Sequence, residues 1–152
     1  MMRIYKGIAT SLGIGYIGKG GGTVAAVITC LCWYGIQAHG KQLFLNQLIV
    51  TLLITAAGIW AGNKVESVWG KDDKKVVIDE VAGMCISLLF LPLTIPTVVG
   101  GLVLFRFFDI AKPLYIKKAE SLPGGWGVMA DDVVAGVYAN LLLQAAVKLN
   151  WL

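Results

Sequence analysis

The chain has 152 residues, of which 57% are hydrophobic and only 14% are charged, with a formal net charge of +4. A mean hydropathy of +0.75 excludes an ordinary soluble globule and indicates an integral membrane protein with one domain, residues 1–152. The basic residues flank apolar runs and form no basic stripe with interleaved aromatic residues, so we expect membrane lipid and no nucleic acid as a partner.

Four apolar runs are each close to the roughly 20 residues that cross about 30 Å of hydrocarbon. They cover residues 20–38, 43–62, 81–105 and 133–147, the last extending past Lys148 to residue 152. Because none of the runs alternates with a period of two, we expect spanning helices rather than strands.

The distribution of Lys and Arg predicts the orientation of these helices. Basic residues precede the first run and occupy the loops after the second and third runs, whereas Lys41 alone lies between the first and second. By the positive-inside rule, the N-terminus and the two longer loops are cytoplasmic, and the turn at residues 39–42, with the single histidine, His39, is external.

The third run has a predicted cytoplasmic loop at each end, which a single crossing cannot satisfy. Pro92 and Pro96 lie inside this run and are expected to break its helix into two arms. Each arm of about a dozen residues rises about 18 Å, which is too short to cross a bilayer. We therefore predict an all-α, polytopic membrane helical bundle with a proline-broken re-entrant helical hairpin, which gathers the polar segments on one face.

Two glycine-rich segments precede the first run. Residues 13–18 match a dinucleotide-binding fingerprint, but no strand precedes them and no acid follows about 20 residues later, so we reject that function. Residues 20–23, GGGT, lead directly into an apolar helix whose first N–H groups lack partners. That terminus could hold a phosphate, with Thr23 as cap or donor, although a flexible entry loop explains the same residues equally well.

Two acidic pairs, Asp79 with Glu80 and Asp131 with Asp132, are predicted to lie at helix starts on the same side of the membrane. One such pair would be explained by the helix dipole alone. Two pairs instead favour a site for Mg²⁺ or Mn²⁺, because hard carboxylate oxygens without His or Cys are the ligands that these ions prefer.

The segments that follow these acids are similar, DEVAG at residues 79–83 and DVVAG at residues 132–136. Chance in a chain rich in Val, Ala and Gly explains this likeness. The alternative is that two helices approach closely at Gly83 and Gly136 and so bring their acids together.

Arg106 and Lys112 flank Asp109 just before Pro113. Anchoring at the membrane interface would explain the two cations, but an Arg at the membrane edge with a nearby acid also suits bidentate phosphate recognition. The charged stretch at residues 71–75 is interpreted as a solvated loop.

The ordered series GGGT, IDEVAGM, FRFFDIAKP and GGWGVMADDVVAG resembles the bacterial phosphatidylglycerophosphatase A family, whose pattern reads PGT, DExxG, FRxxDxxKPxPI and GGxGIMxDDxxAG. The resemblance covers about residue 12 to residue 136. It implies a Mg²⁺-dependent hydrolase of the bacterial inner membrane. That enzyme converts phosphatidylglycerophosphate to phosphatidylglycerol and inorganic phosphate at the cytoplasmic face, in phospholipid biosynthesis.

Three departures from the family pattern involve four positions. Gly21 stands in place of Pro, Ala25 and Ala26 stand in place of Gly-Ser, and Tyr115 stands in place of the second Pro after Lys112. The first two departures alter the expected phosphate loop, and none of the three removes an acid.

Four acids are assigned to both catalysis and Mg²⁺ binding: Asp79, Glu80, Asp131 and Asp132. Asp109 is also assigned to catalysis, as a further ligand or orienting group. Four residues are assigned to the phosphate of the substrate: Gly22, Thr23, Arg106 and Lys112. A metal-activated water is the simplest nucleophile, and an aspartyl-phosphate on Asp79 or Asp131 is the alternative.

A small membrane transporter or ion-conducting protein is the alternative function. Such a protein should place ionisable groups near the midplane of the membrane. The chain instead has nine acids that are all expected in loops or at helix starts. The oligomeric state is not predicted.

Overall fold

The structure, a computed structural model, describes residues 1–38, 44–71, 73–113 and 115–152. All regular structure in these ranges is helical, which confirms the all-α prediction. The predicted external turn at residues 39–42 lies outside the described residues.

The helices are α1 (Met2–Ala9), α2 (Gly21–Ala38), α3 (Phe44–Trp69), α4 (Ile78–Ser87), α5 (Ile95–Ala111), α6 (Ile116–Ala119) and α7 (Gly125–Lys148). A 3₁₀ turn, Ile14–Ile17, joins α1 to α2. This turn contains most of the rejected dinucleotide fingerprint, and the element before it is the helix α1.

Two of the described helices, α3 with 26 residues and α7 with 24, are long and apolar enough to cross a membrane. Only 17% of the apolar window of α3 is buried, against 50% of that of α7. The helix α7 therefore lies in the interior of the bundle, whereas α3 turns most of its surface, including Leu52 and Leu53, outward.

The third apolar run is divided, as the two prolines predicted. The helix α4 ends at Ser87 and α5 begins at Ile95, so the break contains Pro92. The arms contain ten and seventeen residues, rather than about a dozen each. The second arm is longer because the helix continues beyond Phe105 to Ala111.

Polar side chains form hydrogen bonds with backbone groups at this break. The hydroxyl of Thr94 accepts a 3.3 Å hydrogen bond from the N–H of Thr97 and so caps α5. The amide of Asn140 on α7 donates to the carbonyls of Ser87 at 3.0 Å and Leu89 at 2.9 Å. The carbonyls at and just beyond the end of α4 are thereby paired inside the bundle.

The helices α4 and α7 cross in backbone contact at Gly83 and Gly136. A Cβ atom on Gly136 would lie 2.5 Å from the carbonyl oxygen of Gly83, and one on Gly83 would lie 2.7 Å from that of Asp132. Such distances require glycine at both positions. Close helix approach, rather than chance, therefore explains the repeated segment, and it brings the two acidic pairs together.

The helix α7 starts earlier than predicted. Asp131 and Asp132 lie in its second turn, not at its start, because the glycine-rich segment before them is already helical. A Cβ atom on Gly125 would lie 2.3 Å from the carbonyl oxygen of Ile59, and the N–H of Gly125 donates a 2.8 Å hydrogen bond to Asn63. Contact with α3 thus starts the helix in a segment whose glycines alone favour a loop.

Candidate functional site

A polar cavity of about 420 Å³ lies where the start of α2, the start of α4, the end of α5 and the second turn of α7 meet. Eight of the nine residues assigned from the sequence line it: Gly22, Asp79, Glu80, Arg106, Asp109, Lys112, Asp131 and Asp132. Thr23 is exposed and lies outside this lining. The structure therefore does not bring Thr23 to the cavity.

Three acids in the cavity form one group. Asp79, Glu80 and Asp132 can each offer an oxygen such that these oxygens lie within 4.8 Å of one another. One carboxylate oxygen of each residue is also buried without a hydrogen-bond partner among the described residues. Unpaired buried carboxylate oxygens are unfavourable without a compensating cation, so the group fits a hard divalent ion such as Mg²⁺.

The direction in which the pKa values of two of these acids are shifted supports that interpretation. Burial raises the pKa of Asp79 well above its usual value, and the charges of Glu80 and Asp132 raise it further. Burial is also the main reason that the pKa of Glu80 is raised. A divalent cation would offset both the desolvation and the mutual repulsion of the carboxylates.

The fourth predicted metal ligand, Asp131, faces a cation instead. Lys112 donates a 2.7 Å hydrogen bond to Oδ2 of Asp131 and lies 3.4 Å from a carboxylate oxygen of Glu120. Partial burial opposes the charge of Lys112, but the hydrogen bond to Asp131 and the charges of both acids together raise the pKa of Lys112 above its usual value. The predicted set of four acids is thus divided into three grouped acids and one acid that is paired with Lys112.

Arg106 connects α5 to the acid group. Its Nη1 forms an ion pair with Asp109, three residues later on the same helix, and lies 3.8 Å from Oε1 of Glu80. Its Nε is buried and has no hydrogen-bond partner in the described part of the chain. The guanidinium group therefore keeps an N–H donor from which a phosphate oxygen could accept a hydrogen bond.

The glycines at the start of α2 allow its backbone to approach the acids. A Cβ atom on Gly22 would lie 1.8 Å from Oε1 of Glu80. Gly21, which stands in place of the family's Pro, donates its N–H to the carbonyl of Gly18 at 2.9 Å, a bond that Pro could not form. Ala25 and Ala26 are buried one turn further along the helix.

Three charged residues that the sequence interpretation did not assign also line the cavity: Lys19, Asp73 and Lys74. Part of the stretch at residues 71–75 thus belongs to the cavity rather than to a solvated loop, and Lys75 pairs with Asp73 at 3.1 Å. Their positions in the sequence could have indicated this, because Lys19 directly precedes GGGT and Asp73 lies six residues before Asp79.

The charges that line the cavity do not balance. It contains four cationic side chains, Lys19, Lys74, Arg106 and Lys112, and six acidic ones, Asp73, Asp79, Glu80, Asp109, Asp131 and Asp132. With every group ionised, the formal net charge is −2 by this count. One divalent cation would neutralise it.

Comparison with known proteins gives a consistent result. The family model for phosphatidylglycerophosphatase A matches residues 7–147. A Bacteroides thetaiotaomicron protein provisionally named phosphatidylinositol-3-phosphatase is 41% identical over 91% of both chains. The phosphatidylglycerophosphatase A of Haemophilus influenzae is 34% identical over 91% of this chain and 85% of its own. That of Escherichia coli is 32% identical over 80% and 71%.

No solved structure matches the chain. The family match nonetheless extends over almost the whole sequence and includes every acid of the cavity. The chain therefore belongs to the phosphatidylglycerophosphatase A family.

Proposed function

We propose that the protein is a Mg²⁺-dependent lipid phosphatase that hydrolyses phosphatidylglycerophosphate to phosphatidylglycerol and inorganic phosphate. One observation carries this proposal: three grouped acids with unpaired buried oxygens share a cavity with Arg106 and Lys112. Acids that hold a cation beside cations that hold a phosphate are the parts that phosphate-ester hydrolysis requires. The phosphatase activity is further supported by the family and by the names of the relatives.

The metal would be held by Asp79, Glu80 and Asp132. Bound Mg²⁺ supplies Lewis-acid polarisation of the phosphate and lowers the pKa of a nearby water. With every lining group ionised and no divalent cation bound, the net negative charge of the cavity would oppose entry of a phosphate dianion. We therefore expect a bound cation to favour substrate binding.

The two cations have different tasks in this proposal. Arg106 would donate its unpaired Nε–H to a phosphate oxygen while its ion pair with Asp109 fixes the orientation of the guanidinium plane. Lys112, kept charged by Asp131 and Glu120, would place positive charge beside the phosphate. Asp109 thus acts as the orienting group.

Two routes of attack remain within the proposal: direct attack by water, or an aspartyl-phosphate on Asp79 or Asp131. Acid quenching during the first turnover separates them. A phosphate group that stays covalently attached to the protein would indicate the aspartyl-phosphate, whereas its absence at all early times would indicate direct attack.

The placement in the membrane is part of the same proposal. We place the protein in the bacterial inner membrane as a multi-pass bundle, with α4 and α5 as a re-entrant hairpin and the cavity open to the cytoplasm. Two apolar helices of sufficient length support the crossing. Lys74, from a basic loop that the positive-inside rule assigns to the cytoplasm, lines the cavity and supports its orientation.

A second substrate, phosphatidylinositol 3-phosphate, is favoured by the name of the Bacteroides relative. Both lipids carry a phosphate monoester, so the same acids and cations could act on either headgroup. They differ in that one ester is on a glycerol and the other on an inositol ring.

Phosphate release from each lipid by the purified protein tests the proposal. With Mg²⁺ we expect release mainly from phosphatidylglycerophosphate, complete loss with EDTA, and recovery when Mg²⁺ is restored. Asp132→Asn serves as the inactive control. Release from the inositol lipid alone would reassign the substrate, and release from neither lipid would contradict phosphatase activity.

A further inference from the structure

A second cavity, about 630 Å³ in volume, is an apolar groove between the end of α1, α2, α3 and one face of α4. Its walls include Ala25, Ile28 and Ile36 of α2 and Val50 and Ile54 of α3. None of the described residues that line it is charged. The groove is therefore suited to hydrocarbon and not to a headgroup.

The groove begins beside the polar cavity. Along α2, Gly22 lines the polar cavity, and Ala25, one helical turn later, already lines the groove. From Ala25 to Ile36 the helix rises about 16 Å. One leaflet occupies about half of the roughly 30 Å hydrocarbon thickness, so the groove can accommodate most of an acyl chain.

The helix α4 lies between the polar cavity and the apolar groove and lines each with a different face. Asp79 and Glu80 line the polar cavity, whereas Ile78, Val81 and Cys85, spaced by three and four residues, line the groove. A lipid could thus place its phosphate on one side of the start of α4 and a chain along the other.

Ser11 provides an independent indication of a ligand with a polar atom. It lines the groove, and its Oγ is buried without a hydrogen-bond partner among the described residues. Ile14, three residues later, contacts the start of α2, since its carbonyl oxygen would lie 3.5 Å from a Cβ atom on Gly21. Through Ile14, which also lines the groove, we place Ser11 near the end of the groove that adjoins the polar cavity, where the ester carbonyl of a bound lipid could accept a hydrogen bond from its O–H.

We propose that the groove binds one acyl chain of the lipid whose phosphate enters the acid-lined cavity, with Ser11 donating to the ester carbonyl of that chain. This inference rests on the proposed function for the identity of the headgroup. In this proposal the groove recognises the length of the acyl chain, and Ser11 recognises the ester linkage.

Chain-length dependence tests the groove. Cys32 is an exposed residue that lines it, so Cys32→Trp should obstruct it. We expect the ratio of kcat/KM for a dioleoyl substrate to that for a dihexanoyl substrate to fall about ten-fold, because several methylene groups lose their buried site. Leu31→Trp, on the outward face of α2 and outside the groove lining, is the matched control and should leave the ratio unchanged. An unchanged ratio in Cys32→Trp would overturn the proposal.

Photo-cross-linking gives a readout that does not need turnover. Phosphatidic acid and phosphatidylcholine, each with a diazirine at the end of one chain, are compared in nanodiscs. We expect the phosphate-monoester lipid to label residues 25–36 or 46–54 more strongly, and Cys32→Trp to abolish the excess. Equal labelling by both lipids means ordinary bilayer lipid in the groove and overturns the proposal. Preferential labelling without hydrolysis of any tested phosphate lipid would retain the groove and reject the proposed function.

The contact of Ser11 has its own test. Ser11→Ala should lower kcat/KM about two- to ten-fold for an ester-linked substrate relative to its ether-linked analogue, which has no carbonyl acceptor. An equal decrease with both lipids would show that Ser11 acts only on folding and would remove it from the proposal. The chain-length result would then decide the groove alone.

Discussion

Lys112 at the end of α5 donates a 2.7 Å hydrogen bond to Asp131 on α7, and this bond separates Asp131 from its neighbour Asp132. Asp132 instead lies in a group with Asp79 and Glu80. Successive residues on a helix point about 100° apart, so two adjacent acids reach different partners. The structure therefore places one of them in a group of acids that could hold a cation and the other in an ion pair.

This division predicts different responses to substitution. Asp132→Asn removes a carboxylate from the three-acid group and should abolish detectable Mg²⁺ binding at millimolar concentration. Asp131→Asn should lower Mg²⁺ affinity by no more than about ten- to a hundred-fold, since Asp131 lies outside the three-acid group. Calorimetry with Mg²⁺, or Mn²⁺ binding followed by electron paramagnetic resonance, measures both variants. Equal loss in the two variants would restore Asp131 to the metal ligands.

Arg106→Lys separates phosphate binding from membrane anchoring. Lysine keeps the charge and can still reach the interface, so an anchoring role predicts unchanged kinetics. A phosphate-binding role predicts a loss of about 1.5 to 3 kcal/mol, roughly ten- to a hundred-fold in kcat/KM, because a point charge replaces a planar fork. Arg3→Lys, an exposed position near the N-terminus, is the matched control. Wild-type kcat/KM in Arg106→Lys, with Mg²⁺ affinity intact, would exclude the phosphate contact.

The contact between α4 and α7 predicts that adding a single methyl group at the crossing destabilises the protein. Gly136→Ala adds a methyl group 2.5 Å from the carbonyl oxygen of Gly83 and should force α7 away from α4. We expect a decrease of about 1 to 3 kcal/mol in the free energy of unfolding, together with reduced activity. Gly35→Ala, where a Cβ atom meets nothing within 4 Å, is the control. A thermal-unfolding midpoint for Gly136→Ala equal to that of the control would show that α4 and α7 are not in backbone contact at this crossing.

Cysteine accessibility tests the proposed orientation. In a cysteine-free background, Lys71→Cys and Lys118→Cys should react with a membrane-impermeant maleimide only from the cytoplasmic side, and Gly40→Cys only from outside. Residue 40 belongs to the predicted external turn. Labelling of positions 71 and 118 from opposite sides would reject the re-entrant hairpin, because α4 and α5 would then form a single crossing with its two ends on opposite sides of the membrane.

Hydrophobic runs and prolines were sufficient to predict the helical class and the break at Pro92. The glycines at positions 83 and 136 were sufficient to suggest the crossing. The start of α7 was not predictable, because glycines near residue 125 favour a loop until α3 packs against them. The separation of Asp131 from Asp132 and the exposure of Thr23 were likewise hidden, since each depends on the rotation of a helix about its axis relative to its neighbours.

The same geometry weakens the transporter alternative. Acids of an ion pathway are spread along the membrane-spanning helices, whereas here they converge with Arg106 and Lys112 at one end of the bundle. Together with the family match, the two long apolar helices indicate a membrane-associated protein. A phosphate-monoester lipid is thus the chemistry most consistent with both the cavity and its surroundings.

The crossing at Gly83 and Gly136 also has a mechanical consequence. Because main-chain atoms are in contact there, the separation of α4 and α7 is set by atomic radii and not by the packing of flexible side chains. Bilayers of different thickness tilt or bend the helices that face lipid, at a small energetic cost. We therefore expect the pivot between α4 and α7 to keep the spacing of the acids constant across membranes of different composition.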